Sequence, residues 1–163
     1  MQNIINFDLT AQQTADLKLR NSDYNNADFG VEYSNLRLDN TGTIVPNKYA
    51  SVRQDTGTIL GIHSSAYKPL THKHMIDNQR DVIIRSGLAD GSIKESISLD
   101  RTGKKCYVRH ELPNHTITSP NGDTANLTLL STNSFCGTWA YIIGAGAKLG
   151  ACQNNQVFLN DAA

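Results

Sequence analysis

The sequence predicts an α+β protein in which several hairpins form an antiparallel sheet and one main helix, at about residues 71–86, packs on it. Two observations carry this prediction. Short runs of alternating or β-branched residues are separated by turns that resemble one another, and one long segment spaces its apolar residues as a helix does. The chain has 163 residues, a length typical of one domain with a substantial core.

The first 30 residues are expected to form an N-terminal segment of their own, followed by a single α+β domain over residues 31–163. Thr10 can cap a short helix in this segment, and Gln13 can reach back to complete a capping box. The residues that share one face of this helix are Ala11, Ala15 and Leu19. Whether the segment is ordered or mobile stays open.

Each expected hairpin has an Asp-containing turn that includes a glycine. The Asp side chain can accept hydrogen bonds from the turn backbone, and glycine tolerates the positive φ that such turns require. The four turns lie at residues 38–42, 55–57, 99–103 and 120–123. The strands beside them are expected at residues 31–38, 49–53, 59–64, 93–99, 105–111 and 127–131.

The main helix has a start signal, an apolar stripe and a stop signal. Thr71 can cap its first turn, and Gly87 stands where a glycine commonly ends a helix. The apolar stripe consists of Met75, Ile76, Val82 and Ile83. These three signals agree on a helix of about four turns.

Near the C-terminus, residues 139–147 form either a buried strand that ends in a tight turn or a helix of small residues. Gly144 and Gly146 decide between the two, because each glycine weakens a helix by about 1 kcal/mol relative to alanine. We therefore favour the strand, with the turn at the glycines.

The formal net charge is zero, with 15 Lys and Arg against 15 Asp and Glu. This excludes a globally basic nucleic-acid-binding protein, and the charged fraction of 18% excludes a charge-driven disordered chain. The charge is unevenly distributed, however. Residues 1–62 carry −2, residues 63–115 carry +3 and residues 116–163 carry −1. The zero net charge therefore does not exclude a local basic patch.

The sequence favours a cytoplasmic location without a membrane partner. It contains no run of 18 apolar residues, and its first 20 residues lack the basic start and apolar centre of a secretory signal. Three cysteines are an odd number, which suits reduced thiols in a reducing compartment.

Three motifs that could carry chemistry have the wrong context, so we predict no catalytic residue, no cofactor and no metal site. The Asp-Thr-Gly sequence at 55–57 matches the core of aspartic proteinases, but polar residues precede it. The glycines at 144, 146 and 150 lack the βαβ unit of a dinucleotide site. His72 and His74 are two apart, which places them on different helix faces. An enzyme with an unrecognised site is the least favoured reading.

The strongest functional signal is a basic hairpin. Residues 101–110 contain four cations and no acid, and in a strand Lys105, Tyr107 and Arg109 share one face. Cations can follow phosphates while the ring stacks on a base, which is how proteins hold single strands. The candidate nucleic-acid-binding residues are Arg101, Lys104, Lys105, Tyr107, Arg109, Lys68 and Lys73, and Arg80 and Arg85 would add to them if the helix packs nearby. The alternative is a solvated hairpin with ordinary surface charges.

Several short motifs, in order, resemble a family of phage/plasmid-like proteins of unknown function. They are Arg53-Gln54-Asp55-Thr56-Gly57-x-x-Leu60-Gly61, Ser65-Ala66-Tyr67-Lys68-Pro69-Leu70, Thr132-Asn133-Ser134-x-x-Gly137 and Cys152-x-Asn154. The resemblance implies a phage or plasmid origin and action in the cytoplasm of a bacterial host. The order of hairpin, helix and sheet is also similar, more distantly, to the core of single-strand annealing proteins of phage recombination systems.

From the hairpin and the resemblance we expect a non-enzymatic protein that binds single-stranded DNA. Whether it also anneals strands, and whether it forms a homo-oligomer, are questions that the sequence leaves open. The rival hypothesis is a small protein-interaction module that inhibits or modulates a host complex without binding DNA. The two hypotheses differ in one geometric requirement, because DNA binding needs the cations of the middle segment to converge on one surface.

Overall fold

The computed structural model describes residues 22–149 and 156–158. The helix expected around Thr10 and the motif Cys152-x-Asn154 lie outside these residues. The helices are α1 (Ser22–Ala27) and α2 (His72–Arg85). The strands are β1 (Val31–Arg37), β2 (Ile44–Arg53), β3 (Ile59–Ser64), β4 (Lys94–Leu99), β5 (Lys105–Thr118), β6 (Thr124–Ser134), β7 (Ile142–Leu149) and β8 (Gln156–Phe158).

The described strands form two antiparallel sheets. The first sheet has the order β1-β2-β3, and the second has the order β4-β5-β6-β7-β8. The structure thus divides the expected single sheet in two, with α2 between β3 and β4 in the chain. The short helix α1 is a further difference, since it lies where no helix was expected. Local patterns define strands and turns, whereas the break between two sheets depends on contacts that are distant in sequence.

The four expected turns are confirmed as connections of β1 to β2, β2 to β3, β4 to β5 and β5 to β6. The turn before β5 shows the mechanism. Oδ1 of Asp100 accepts a hydrogen bond from the backbone N–H of Lys105 at 3.0 Å, and Oδ2 accepts one from the Thr102 hydroxyl at 2.9 Å. Gly103 has a φ of +79°, which is the left-handed region that favours glycine. The Asp-x-Thr-Gly pattern therefore encodes the hairpin directly.

Three strands, β2, β5 and β6, are longer than the sequence predicts, and in β2 and β5 a proline lies inside the strand. Pro46 is in β2 and Pro113 is in β5, and a proline cannot donate to a strand ladder. In β5 the pairing with β6 shifts register between Leu112 and Thr116, so that the proline sits in an irregular stretch and the strand continues. The periodic pattern alone stops at the proline, which explains why the expected strands were too short.

The C-terminal run does form a strand, but its glycines are not in a turn. Gly144 and Gly146 lie inside β7 and pair with Leu130 and Thr128 of β6. The expected position of the tight turn is therefore wrong.

Helix α2 begins and ends as predicted. The Thr71 hydroxyl accepts a hydrogen bond from the backbone N–H of His74 at 3.2 Å, and Gly87 has a φ of +71°. The predicted apolar stripe was wrong at one position, because Val82 is 45% exposed. The buried stripe follows the helical repeat more closely and includes polar residues: His72, Met75, Ile76, Gln79, Arg80 and Ile83.

The buried stripe of α2 contacts one face of the second sheet. Met75 and Ile76 cluster with Ile97, Cys106 and Val108. A second cluster joins Ile83 to Ile93, Leu112 and Leu129. Because side chains alternate along a strand, this packing leaves the other face of β5 to Lys105, Tyr107 and Arg109.

A buried carboxylate connects α2 to the second sheet. Glu95 on β4 accepts two hydrogen bonds from Arg80, at 2.6 and 2.5 Å, and its Oε2 lies 2.7 Å from Nε2 of His110. Burial disfavours the charged carboxylate, but the bonds from Arg80 and His110 outweigh it and lower the pKa of Glu95 to about 2. The ring of Tyr24 on α1 covers the Arg80 guanidinium at 4.2 Å, so that α1 is fixed to the same group.

The two sheets meet at a cluster of Phe29, Leu60 and Phe135. A Cβ at Gly61 would overlap the backbone carbonyl oxygen of Phe135, so only glycine permits this approach. Next to the cluster, His72 is fully buried between Asn133, which donates to its Nδ1, and the Gly103 carbonyl, which accepts from its Nε2. Burial lowers the pKa of His72 to about 4, and the imidazole is therefore neutral at pH 7.

Replacing Arg80 with methionine should lower the free energy of unfolding by about 3–5 kcal/mol, because the buried carboxylate of Glu95 loses its main partner. The double variant Arg80→Met/Glu95→Gln should recover part of this loss, since a neutral amide is cheaper to bury than a charge. Urea denaturation measures both. The control is Arg85→Met, which removes an exposed ion pair with Asp81 and should change the stability little. Equal losses in the test and control variants would contradict this account.

The protein should lose stability in acid through His72. Its pKa is about 4 in the folded state and about 6.5 in the unfolded chain, so the unfolded state binds the proton more tightly. The stabilising effect is complete above pH 6.5 and is lost as the pH falls towards 4, by up to about 3 kcal/mol. Unfolding by urea between pH 7 and 4 measures this slope. The slope should be shallower in His72→Gln and unchanged in His74→Gln, whose side chain is exposed.

Candidate nucleic-acid interface

The outer face of β5 carries two cations and a ring in a row. Lys105, Tyr107 and Arg109 are each half-buried on the face opposite α2. Their neighbours across the sheet are mostly small and polar: Ser96, Ser98, Thr132 and Ser134. The next residue on this face, Glu111, is buried and accepts a hydrogen bond from Asn126, which marks the end of the row.

The loop after β6 adds a second ring to this row. The Lys105 ammonium lies 5.0 Å from the centre of the Trp139 ring, which is 41% exposed. Trp139 is fixed by Ser134, whose hydroxyl accepts from the Trp139 N–H and donates to the Trp139 carbonyl, both at 2.9 Å. We call Lys105, Tyr107, Arg109 and Trp139 the β5 strip. The sequence analysis missed Trp139, although it is the only tryptophan of the chain.

The two remaining cations of the predicted hairpin lie in its turn. Arg101 is exposed and borders a polar cleft beside Arg53 and Asp100. Lys104 is half-buried, and its carbonyl accepts a hydrogen bond from the Phe135 N–H at 2.8 Å. Both residues are therefore at the end of the β5 strip that begins with Lys105.

The cations of α2 do not join the β5 strip. Lys73 pairs with Asp28 at 2.7 Å, Arg80 is buried against Glu95, and Arg85 pairs with Asp81. All three extend from a helix that packs on the opposite face of β5. The structure thus separates Lys73 from Lys105 and Arg109, which the DNA-binding hypothesis had placed on one surface.

Lys68 lies in a different place, a cleft of about 420 Å³ on the first sheet. The pairing of β1, β2 and β3 puts Tyr33, Tyr49 and His63 on one face of that sheet. The described residues that line the cleft are Tyr33, Tyr49, His63, Ser64, Ser65, Tyr67, Lys68 and Pro69. We call it the tyrosine cleft. The sequence analysis identified Lys68 and Tyr67 but not the two tyrosines of β1 and β2.

One wall of the tyrosine cleft is held rigidly. The ring of Tyr67 stacks on His63 with centres 4.0 Å apart and planes at 16°, and its hydroxyl donates to the Ser134 carbonyl at 2.7 Å. Nε2 of His63 lies 3.1 Å from the Ser51 hydroxyl. Burial lowers the pKa of His63 and raises the pKa values of Tyr33 and Tyr67, so these rings are neutral at pH 7. Lys68 is the exposed charge of the cleft.

The segment from Ser134 to Trp139 connects the tyrosine cleft to the β5 strip. Its Ser134 contacts Tyr67 on one side and Trp139 on the other. Cys136 lies between them, 3.1 Å from the Thr138 hydroxyl. Burial disfavours its thiolate, but hydrogen bonds from Thr138 and Ser134 and the nearby Lys105 charge together lower the pKa of this thiol.

The Asp-Thr-Gly motif lies in the turn between β2 and β3. Asp55 is exposed in a hairpin turn and binds Arg53 through both carboxylate oxygens, at 2.7 and 2.9 Å. Within residues 22–149 and 156–158, no group of three or more His, Cys, Asp or Glu side chains could hold a metal ion. Neither described helix has the length and apolar character needed to span a membrane.

Comparison with known proteins gives one match. A model of a domain of unknown function, DUF932, matches residues 59–163. A search of curated proteins finds no match, and neither does a search of solved structures. The matched range contains the β5 strip, Tyr67 and Lys68, whereas Tyr33 and Tyr49 precede it. The expected phage or plasmid origin and the distant similarity to annealing proteins stay predictions.

Proposed function

We propose that this chain, which belongs to the DUF932 family of domains of unknown function, binds single-stranded DNA along the β5 strip. One observation carries the proposal. On this strip cations and aromatic rings alternate, in the order Trp139, Lys105, Tyr107 and Arg109. Such an arrangement contacts the backbone through charge and the bases through stacking, and it needs no particular base sequence.

The distribution of ion pairs supports this role. Arg53, Lys73, Arg80 and Arg85 each bind a carboxylate of the protein itself. Lys105 and Arg109, by contrast, form no ion pair with the part of the chain that the structure describes. The proposal assigns these two charges to the phosphates of a strand, whose bases the neighbouring aromatic rings can stack on.

The rings favour a single strand over a duplex. Tyr107 lies on a sheet face between Ser98 and Thr132, and a ring in this position can stack only on a base that is not already stacked in a helix. The cations of α2, moreover, all pair with carboxylates, so this helix offers little charge to the phosphates that border a major groove. Unpaired nucleotides are the ligand that this surface fits.

Removing the two strand cations should weaken binding of an oligothymidine by about a hundredfold or more, since each lost charge-assisted contact contributes about 1.5 kcal/mol or more. The variant is Lys105→Gln/Arg109→Gln, and Trp139 fluorescence reports the titration. Its matched control is Lys73→Gln/Arg85→Gln, which removes the same charge from the opposite face. The wild-type slope of log affinity against log salt should be about −0.7 for each phosphate contact and should become shallower in the test variant. A slope near zero, or equal weakening in the control, would exclude the β5 strip as a DNA site.

Replacing Tyr107 with leucine tests the stacking separately. Loss of a stacked base costs about 1–3 kcal/mol, which corresponds to a loss of affinity between about fivefold and a hundredfold. The salt slope should stay as in the wild type, because no charge is removed, and Tyr107→Phe should bind nearly as well as the wild type. If leucine and phenylalanine bind equally, Tyr107 does not stack. A chain with no affinity for oligonucleotides that instead forms a stable complex with a host protein would support the protein-interaction hypothesis.

A further inference from the structure

We infer that the tyrosine cleft is a nucleotide pocket, in which a base lies against the tyrosine rings and its phosphate faces Lys68. The inference deepens the proposed function and rests on it in one respect, namely that the nucleotide belongs to the strand that the β5 strip holds. The pocket itself can be tested separately with a mononucleotide.

The exposure of the rings is the first argument. Tyr33 is 50% exposed, and Tyr49 and Tyr67 are half-buried around the same opening. Tyrosines that serve only a core bury their rings, whereas these three present apolar surface to a cleft. Flat aromatic faces of this kind are the common means of holding a base without reading its sequence.

The size and the rigidity of the cleft agree with a small ligand. A volume of about 420 Å³ lies within the range of about 300–1,000 Å³ that is typical of small-molecule sites. Tyr67 is held by its stack on His63 and by its hydrogen bond to Ser134, so its ring is positioned before any ligand arrives. A preformed wall reduces the entropy that binding must overcome.

The charge of the cleft favours an aromatic ligand that carries a negative group over a neutral aromatic ligand. Lys68 is exposed at its edge and forms no ion pair within the described residues. The described lining contains no carboxylate, and the buried His63 is neutral. An aromatic ligand with a negative group matches this combination, and a nucleotide is the unit of a single strand that has both.

One buried residue, Ser134, links the cleft to the β5 strip. Tyr67 donates to Ser134, Ser134 holds Trp139, and the Trp139 ring lies beside the Lys105 ammonium. Ser134 is itself buried, so it fixes the positions of the two sites relative to each other. The inference places both sites on one strand.

Thymidine 5′-monophosphate is the probe, observed through amide shifts in NMR spectra of the full chain. It should shift the amides of residues 33, 49 and 63–68, and thymidine should bind more weakly because it lacks the phosphate. Tyr33→Leu and Lys68→Gln should each weaken binding roughly five- to tenfold. Tyr33→Phe should keep it, and Lys73→Gln should leave it unchanged. Because Tyr33→Phe and Tyr33→Leu occupy the same exposed position, a difference between them reports the ring and not the folding.

The outcomes separate this inference from the proposed function. The cleft is not a nucleotide pocket if the mononucleotide shifts none of its amides. The same holds if a neutral sugar such as maltotriose shifts those amides more strongly than the mononucleotide does. If the oligothymidine depends on Lys105 and Arg109 but not on Tyr33 and Lys68, the β5 strip stands and the pocket is excluded. If the mononucleotide binds in the cleft while the Lys105→Gln/Arg109→Gln variant still binds the oligothymidine normally, the pocket stands and the proposed strip is excluded.

Discussion

The approach of the Gly61 backbone to the carbonyl group of Phe135 joins the two sheets, and both proposed binding surfaces depend on it. A side chain at position 61 would overlap that carbonyl oxygen and the ring of His63. The same segment of chain, Ser134 to Trp139, supplies the carbonyl that accepts from Tyr67 and the ring that lies beside Lys105. One wall of the tyrosine cleft and one end of the β5 strip are therefore positioned by this segment.

Behind the neutral total charge, the cations of the protein fall into two groups with different surroundings. Those of α2, and Arg53 at the end of β2, pair with carboxylates of the protein itself, with Arg80 as the extreme case of a guanidinium buried against Glu95 and covered by Tyr24. The cations of β5 lie on the other face of the same sheet, where no carboxylate of the described chain pairs with them. Net charge therefore says little about binding here, because function depends on which charges the fold leaves without an internal partner.

Features set by neighbours in sequence could be predicted, and those set by distant contacts could not. The Asp-containing turns, the Thr71 cap and the shared face of Lys105 and Tyr107 all follow from spacings of a few residues. The exposure of Val82 and the break between the sheets depend on packing partners far along the chain. The tyrosine cleft is the clearest case, since Tyr33, Tyr49 and Tyr67 meet only through the pairing of three strands and a loop. Nothing in the sequence spacing of these three tyrosines indicated that their side chains would line one cleft.

The alternation of β5 also separates acid stability from binding. Two buried groups with strongly lowered pKa values, His72 at about 4 and Glu95 at about 2, lie on the α2 side of the second sheet, whereas Lys105 and Arg109 lie on the other side. A fall in affinity between pH 6.5 and 4 would therefore report unfolding of the core and not titration of the β5 strip. Since the stabilising effect of His72 is complete above pH 6.5, salt dependence measured there is free of this source of unfolding, and the two surfaces can be compared in one folded state.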